Sequence, residues 1–211
     1  MKTMLKFDLH IHSKHSKDSL MDKERIKKIA QKKGLSGIAI ADHDAMTDIH
    51  QPSFIVPGSE IKTEYGDIIG LFIKNNIKSR SFLAVQKEIK EQGGVTVLAH
   101  PYNKGKIRFP EEFIPEYIDL IEVFNSRMKK EWNKKALELA QKYQKPITAG
   151  SDAHSYFEIG RSFLILEGPI NTVDDLKAKL LARGNSYSGK YTPYYISHGL
   201  SFICEKIKKY L

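Results

Sequence analysis

Short runs of apolar and β-branched residues alternate along the chain with longer stretches whose apolar positions recur every three or four residues. The short runs predict strands: Leu5 to Ile11, Gly37 to Ala41, Ser53 to Ile61, Asp67 to Ile73, Val95 to Ala99, Asp119 to Val123, Pro146 to Ala149 and Ser162 to Leu166. The longer stretches predict helices. Met21, Ile26, Ile29 and Ala30 make an apolar stripe that stops at Lys33-Gly34, and Phe82, Val85 and Ile89 make one that stops at Gln92-Gly93-Gly94. Trp132, Ala136, Leu139, Ala140 and Tyr143 mark a third helix, and Val173, Leu176, Leu180 and Leu181 before Gly184 a fourth. A last amphipathic segment, Leu200 to Leu211, is expected to pack on the outside of the body. This alternation predicts a mostly parallel sheet with helices around it. Ser53 to Ile73 breaks the rhythm, because two strand-like runs flank Thr63 to Asp67 with no room for a helix. A hairpin inserted in the series is expected there. The fold class is α/β, barrel-like and at the small end of the barrel size range.

Composition narrows the picture. At 211 residues and 41% hydrophobic content the chain can bury one sizeable core, which excludes a disordered protein. One cysteine excludes a disulfide framework and a Cys-based zinc site. No apolar run approaches the ~20 residues of a membrane span. Met1 to Leu5 leads directly into a strand pattern rather than a cleavable leader. A soluble, cytoplasmic protein is expected, with no membrane association and no obligate protein partner. The net charge is +9, but 28 of the 34 basic residues are Lys. Lysines spread over helix faces, as in Lys23 to Lys33 and Lys129 to Lys142, read first as solvated surface.

The histidines carry more information than the lysines. His10 and His12 end one strand-like run, and His43, His100 and His154 each follow another. In parallel α/β architectures the carboxyl ends of the strands share the face that holds the active site. Strands far apart in sequence would therefore bring these five imidazoles to one place. Residues two apart on a strand point the same way, so His10 and His12 project together while Leu9 and Ile11 face the other side. Asp152 and His154 form a second such pair if extended conformation persists. Imidazoles with carboxylates suit Zn²⁺, Mn²⁺ or Fe²⁺ better than Mg²⁺ or Ca²⁺. His50 and His198 have no such setting and read as surface or loop residues, whereas His15 is within reach of the same place.

Asp8-Leu9-His10-Ile11-His12-Ser13, Asp42-His43-Asp44, Gly58-Ser59-Glu60, Ala99-His100-Pro101, Glu122-Val123-Phe124-Asn125 and Gly150-Ser151-Asp152-Ala153-His154 follow one another in order. This series resembles the motifs of the PHP (polymerase and histidinol phosphatase) family, in particular its stand-alone metal-dependent phosphoesterases. The resemblance implies a distorted (β/α)7 TIM-like barrel, a single domain over residues 1–211. Its motif-bearing core would be residues 6–160, with a closing strand and C-terminal helices in residues 161–211. It further implies two or three divalent metal ions, Mn, Zn or Fe. His10, His12, Glu60 and Asp152 would hold the first. Glu60, His100 and a residue of the Glu122 to Asn125 segment, with Asn125 favoured, would hold the second. Asp18, His43 and His154 would hold the third.

The chemistry implied is hydrolysis of a phosphate ester by metal-activated hydroxide, which needs no Ser or Cys nucleophile. Cys204 then reads as a packed residue. Asp8, Asp42 and Asp44 stand beside ligands and could orient imidazoles, Asp44 equally well serving as a turn residue. Arg127, Arg161 and Lys14 are the candidate catalytic cations on the phosphate, with surface salt bridges the alternative. The expected substrate is a phosphorylated small molecule or short nucleic acid, with a nucleotide or oligonucleotide phosphate first and histidinol phosphate second. Tyr102, Phe124 and Tyr156 could stack on a base or simply pack. A metal-stabilised binding or structural module without catalysis is the non-enzyme alternative.

Overall fold

The computed structural model describes residues 3–46 and 54–209, except the His198 side chain. Its elements are β1 (Met4–Ile11), α1 (Lys23–Lys32), β2 (Gly37–His43), β3 (Ile55–Thr63), β4 (Gly66–Leu71), α2 (Phe82–Glu91), β5 (Val95–Leu98), α3 (Ile114–Tyr117), β6 (Leu120–Asn125), α4 (Lys130–Lys142), β7 (Ile147–Gly150), β8 (Ser162–Glu167), α5 (Val173–Leu181), β9 (Ser186–Gly189) and α6 (Tyr194–Lys208). Each of the eight expected strands and five expected helices overlaps one of these elements, with ends that differ by one to three residues in several cases. The expected position of His50 and the start of the expected strand at Ser53 fall outside the described residues.

Local chemistry fixes the helix ends. The Asp22 side chain accepts from the N–H groups of Glu24 and Arg25 at the start of α1, and Thr172 and Asp175 form a capping box on α5. Gly34 and Gly93, at φ +72°, take the left-handed conformation just past α1 and α2, where a side chain would be strained.

The strands form one sheet in the order β7-β6-β5-β4-β3-β2-β1-β8-β9. β1, β2 and β3 run parallel, as do β5, β6 and β7; β4 is antiparallel to both neighbours, which is the expected hairpin. The sheet then closes on itself. Ile11 bridges Ala153, the His12 N–H donates to the Ala153 carbonyl at 2.9 Å, and the Ala153 N–H donates to the His10 carbonyl at 3.4 Å. Seven strands therefore make a barrel. The lower half of the same β1 edge, Met4 to Phe7, pairs antiparallel with β8, which carries β9 on its far side.

The barrel interior is apolar: Phe7, Leu9, Ala39, Ala41, Val56, Ile69, Leu71, Val95, Val97 and Leu120 form one cluster, closed from below by Leu176 and Leu180 of α5. Phe82, Val85 and Ile89 of α2 and Leu139 and Ala140 of α4 pack on the outside, as do Ile26 and Ala30 of α1. Burying each Phe, Leu, Ile or Val among them contributes about 1.5–3 kcal/mol.

Three readings need correction. Leu9 and Ile11 do not share a face: Leu9 lies inside the barrel and Ile11 packs outside against Ile26 and Ile38. A bulge in β1 between Asp8 and Ile11 shifts the alternation by one residue, and strict period-2 reading cannot see it. β9 was not anticipated, because Ser186-Tyr187-Ser188-Gly189 lacks an apolar run. The last helix begins at Tyr194, and it does not merely cover the outside. Its Lys208 donates to the carbonyls of Lys14 and Ser16, so it leans over the loops at the carboxyl ends of the strands. Among the described residues no helix is long and apolar enough to cross a membrane.

Candidate metal centre

The strand ends bring four motif groups together. The His10 and His12 Nε2 atoms are 3.1 Å apart, and they lie 3.5 and 3.4 Å from Glu60 Oε2 and 3.7 and 3.2 Å from Asp152 Oδ1. These separations match the edges of a tetrahedron around an ion with ligands at about 2.0–2.2 Å. All four residues are buried.

Hydrogen bonds behind the rings point the nitrogens the right way. His10 Nδ1 donates to Glu122 Oε1 at 2.9 Å, which leaves Nε2 to face the cluster. Ser16 Oγ donates to Asp42 Oδ1 at 2.8 Å and so accepts from His12 Nδ1 at 3.0 Å, again leaving Nε2 inward. Glu122 also accepts the His100 N–H at 2.9 Å. Its part as the orienting acceptor was missed because it stands on β6, far from either ring in sequence. Asp42 acts through Ser16. Asp8 orients no ring: it accepts from the Ser151 N–H and Oγ and from the Gly160 N–H, tying β1 to β7. Asp44 is a turn residue at φ +53°, 3.5 Å from Arg80.

Glu60 stands at the middle. Its Oε1 meets His100 Nε2 at 2.8 Å and its Oε2 lies 3.0 Å from His43 Nδ1. Asp18 Oδ2 lies 3.2 Å from His154 Nε2 and 3.4 Å from His43 Nε2. Burial opposes charge on His43, His100, Glu60, Asp152 and Asp18, yet opposite charges prevail for these five. The Glu60 and Asp18 carboxylates push His43 up to about 11, and Glu60 pushes His100 up to about 9. Glu60, Asp152 and Asp18 are held below the usual carboxylate range by the surrounding imidazoles. His12 is the exception: burial and the neighbouring His154 and His43 lower it to about 3. Protons thus balance the carboxylates where a divalent cation would, and binding one would release them.

The donor set fits such an ion on a further ground. Glu60 Oε2, Asp18 Oδ1 and His154 Nε2 are buried and reached by no hydrogen bond of acceptable geometry. Orphaned buried polar atoms cost about 1–3 kcal/mol each, so three in one place mark a ligand site. Backbone strain gathers here too: His100 (φ +25°) and Asp152 (φ +53°) occupy the left-handed region without being glycine. Gly150 permits the closure, since a Cβ there would sit 2.3 Å from His10 Cβ.

Asn125 reaches the cluster differently from expectation. Its Nδ2 donates to Glu122 Oε2 and Asp152 Oδ2 at 3.2 Å each, while its Oδ1 accepts the Arg127 N–H at 2.9 Å. Of the three expected cations, Arg127 stands at the cluster, 3.9 Å from Asp152 Oδ1, and the other two are engaged away from it. Arg127 Nη1 lies 2.5 Å from His154 Nδ1, and the guanidinium donates to the Ser197 carbonyl at 2.6 Å and to Ser201 Oγ at 2.8 Å, clamping α6 to the centre. Arg161 holds the Tyr191 carbonyl, and Lys14 pairs with Asp22 at 3.1 Å on the surface. The aromatics pack: Phe124 against Tyr187 and Tyr191, Tyr156 under Arg25, and Tyr102 under Lys135.

A cavity of about 580 Å³ opens beside the cluster, with His43, Glu60, Asp67 and His100 on its floor. Its walls carry Lys17, Lys62, Lys104, Lys106 and Arg108 together with His15. No ion pair engages these Lys and Arg side chains among the described residues. Sequence reading missed them because a lysine in a Lys-rich chain carries no signal until the fold gathers several on one wall.

Comparison with known proteins agrees with this geometry. A family model described as PHP-associated matches residues 130–184, the stretch that includes β7, Asp152 and His154. The uncharacterised protein MJ0417 of Methanocaldococcus jannaschii is 37% identical over 185 residues, covering 83% of this chain and 76% of that protein. Among solved structures, a two-domain protein of Bacteroides vulgatus containing a predicted PHP-like metal-dependent phosphoesterase superposes with a TM-score of 0.74 at 18% identity, over 90% of this chain and 66% of that one. The lesion-specific endonuclease PfuEndoQ of Pyrococcus furiosus superposes with a TM-score of 0.65 at 17% identity, over 95% of this chain and 66% of that one. The barrel is shared with both structures, the sequence is shared with the archaeal relative across most of its length, and the chain belongs to the PHP family.

Proposed function

We propose that this protein is a metal-dependent hydrolase of phosphate esters whose substrates are nucleotide or oligonucleotide phosphates. The observation that carries the reading is a buried His–carboxylate cluster with orphaned ligand atoms, opening onto a cavity walled by cations. His10, His12, Glu60 and Asp152 would hold one ion, Glu60 and His100 take part in a second, and Asp18, His43 and His154 form a third group. Divalent cations held there supply Lewis-acid activation of a water and of the phosphoryl oxygens.

The chain's own groups do the rest. Glu122 and Ser16 fix the His10 and His12 rings before any substrate arrives, so no reorganisation is needed at the reaction step. Lys17, Lys62, Lys104, Lys106 and Arg108 would accept phosphate oxygens along the cavity wall. Five cations spread over one wall suit a run of phosphates better than a single one. The likeness of fold to a lesion-specific endonuclease supports the nucleic-acid class.

The test is a turnover screen with Mn²⁺, Zn²⁺ or Fe²⁺ on p-nitrophenyl phosphate, nucleoside 3′,5′-bisphosphates, short single-stranded DNA and RNA, and histidinol phosphate. The expected result is metal-dependent turnover with the highest kcat/KM on nucleotide or oligonucleotide substrates and a KM that climbs with salt. Preference for histidinol phosphate would overturn the substrate class. Absence of metal-dependent turnover on all of them would overturn the hydrolase.

A further inference from the structure

We propose that the outer face of α6 docks a second copy of this chain, the two helices crossing at Gly199. The helix is turned inside out. Its inner stripe, spaced by four, three and four residues, is Ser197, Ser201, Cys204 and Lys208, flanked on one side by the partly buried Ile196 and Leu200. The Ser197 carbonyl and Ser201 hydroxyl accept from Arg127, Lys208 donates to the Lys14 and Ser16 carbonyls, and Cys204 is half-buried. The opposite face carries the large apolar side chains: Tyr195 is 76% exposed, Phe202 60%, Ile203 52% and Ile207 43%. An ordinary surface helix does the reverse, burying its apolar stripe and leaving its polar one to water.

The exposed face is large enough to need cover. An aromatic side chain presents about 150–250 Å², so Tyr195 and Phe202, with Tyr194 at 71% beside them, leave on the order of 400 Å² open. Ile203 and Ile207 bring the face to roughly 600 Å², the top of what a monomer ordinarily exposes in one patch. A standard interface takes about 800 Å² from each partner. A polar rim that includes the exposed Lys206 and Lys209 supplies the remainder.

Gly199 marks the occupant as a helix. Glycine is the poorest helix former after proline, yet it stands in the middle of α6 on the outer face, where an added Cβ would meet nothing within 4 Å. Among the described residues no neighbour requires its smallness; a second helix would. Tyr195, Gly199, Ile203 and Ile207 are spaced by four, the row that interdigitates in the commonest helix packing, and Gly199 is the notch in that row. A two-fold axis through the notch sets Tyr195 of one copy against Ile203 of the other, so the patch is complementary to itself, as an isologous dimer demands. Other occupants fit less well. Ile203 and Ile207 offer no ring for base stacking, and Lys206, 5.4 Å above the Phe202 ring, interrupts the face that would enter a lipid surface. Because the inner stripe is bonded to Arg127 and to the loop of Lys14 and Ser16, a docked partner would also hold α6 against the centre.

The experiment is sedimentation velocity of the whole chain from micromolar to submillimolar concentration, and its outcome is independent of what the centre catalyses. Wild type should reach twice the mass of one chain. Phe202→Glu should raise the dimer dissociation constant by at least about 30-fold, the scale of a central aromatic anchor. Gly199→Leu fills the notch and should weaken the dimer by about tenfold or more, the scale of a lost well-packed contact, although leucine is the better helix former and has room within one chain. Circular dichroism of each variant confirms that it is folded. A single-chain mass for wild type throughout, or a dimer that neither substitution weakens, would overturn the proposal. So would a monomeric wild type that binds fluorescent oligothymidylate or phosphatidylserine vesicles and loses that binding in Phe202→Glu, which would assign the face to nucleic acid or to lipid.

Discussion

Two buried polar regions sit a few residues apart on β1 and are built in opposite ways. At the seam with β7, both oxygens of Asp8 are occupied by the Ser151 N–H and hydroxyl and the Gly160 N–H. Burial pushes Asp8 up to about 6, against those donors. Two residues further on, His10 and His12 enter a cluster in which Glu60, Asp18 and His154 each keep an atom without a hydrogen bond. The seam spends its polar groups on itself and holds the barrel shut. The centre leaves groups open at a cost in stability, and only a ligand makes that arrangement worthwhile.

Substitutions can break this contrast. The largest effect is expected for Glu60→Gln, which removes the charge shared by the groups around it. Metal-dependent turnover should fall by more than about 10²-fold, beyond what outer contacts to a metal contribute, while the metal-free melting temperature stays within a few degrees of wild type. Asp8→Ala should do the reverse. It leaves four donors unanswered, the long His10 N–H contact among them, at about 1–3 kcal/mol each, so urea denaturation should show a loss of several kcal/mol; a wild-type midpoint would dissolve the distinction. Arg127→Ala should cost about 1.5–3 kcal/mol by releasing α6, read as faster proteolysis of the C-terminal helix before global unfolding.

The cavity wall should give the mildest change. Lys104→Ala with Lys106→Ala should raise KM several-fold for an oligonucleotide, leave kcat on p-nitrophenyl phosphate unaltered, and flatten the salt dependence by about one unit of slope per lost phosphate contact. Lys14→Ala, a surface partner of Asp22 that does not line the cavity, should change neither.

Much of this was legible in the residues, and for identifiable reasons. The strands and helices follow apolar periodicity, and the imidazoles end up together because parallel strands share a carboxyl face. The bulge in β1 was not legible: one extra residue changes which side chains face inward without changing composition. Glu122 was visible as a motif residue, but its bonds to His10 and the His100 N–H depend on three strands meeting. Asp67 reads in sequence as a hairpin residue after Gly66, and only the antiparallel direction of β4 raises it to the level of the cluster. The cavity lysines are indistinguishable from the solvated ones until residues 62, 104 and 106 share a wall. Arg127 was rightly noticed as unusual in a Lys-rich chain, yet its planar fork is used to hold His154 and α6.

The double use of β1 has a consequence for how the molecule comes into being. Strand β1 finds one edge partner, β2, soon after it in the chain, but its other edge waits for Ala153 above and for Leu164 to Glu167 below. Asp8 waits 143 residues for Ser151. During synthesis the emerging chain therefore displays His10 and His12 without Asp152 or His154, an incomplete set. Closing so long a loop is slow compared with forming local helices, so ring closure is the expected late step of folding. The cluster is therefore assembled only when the barrel closes.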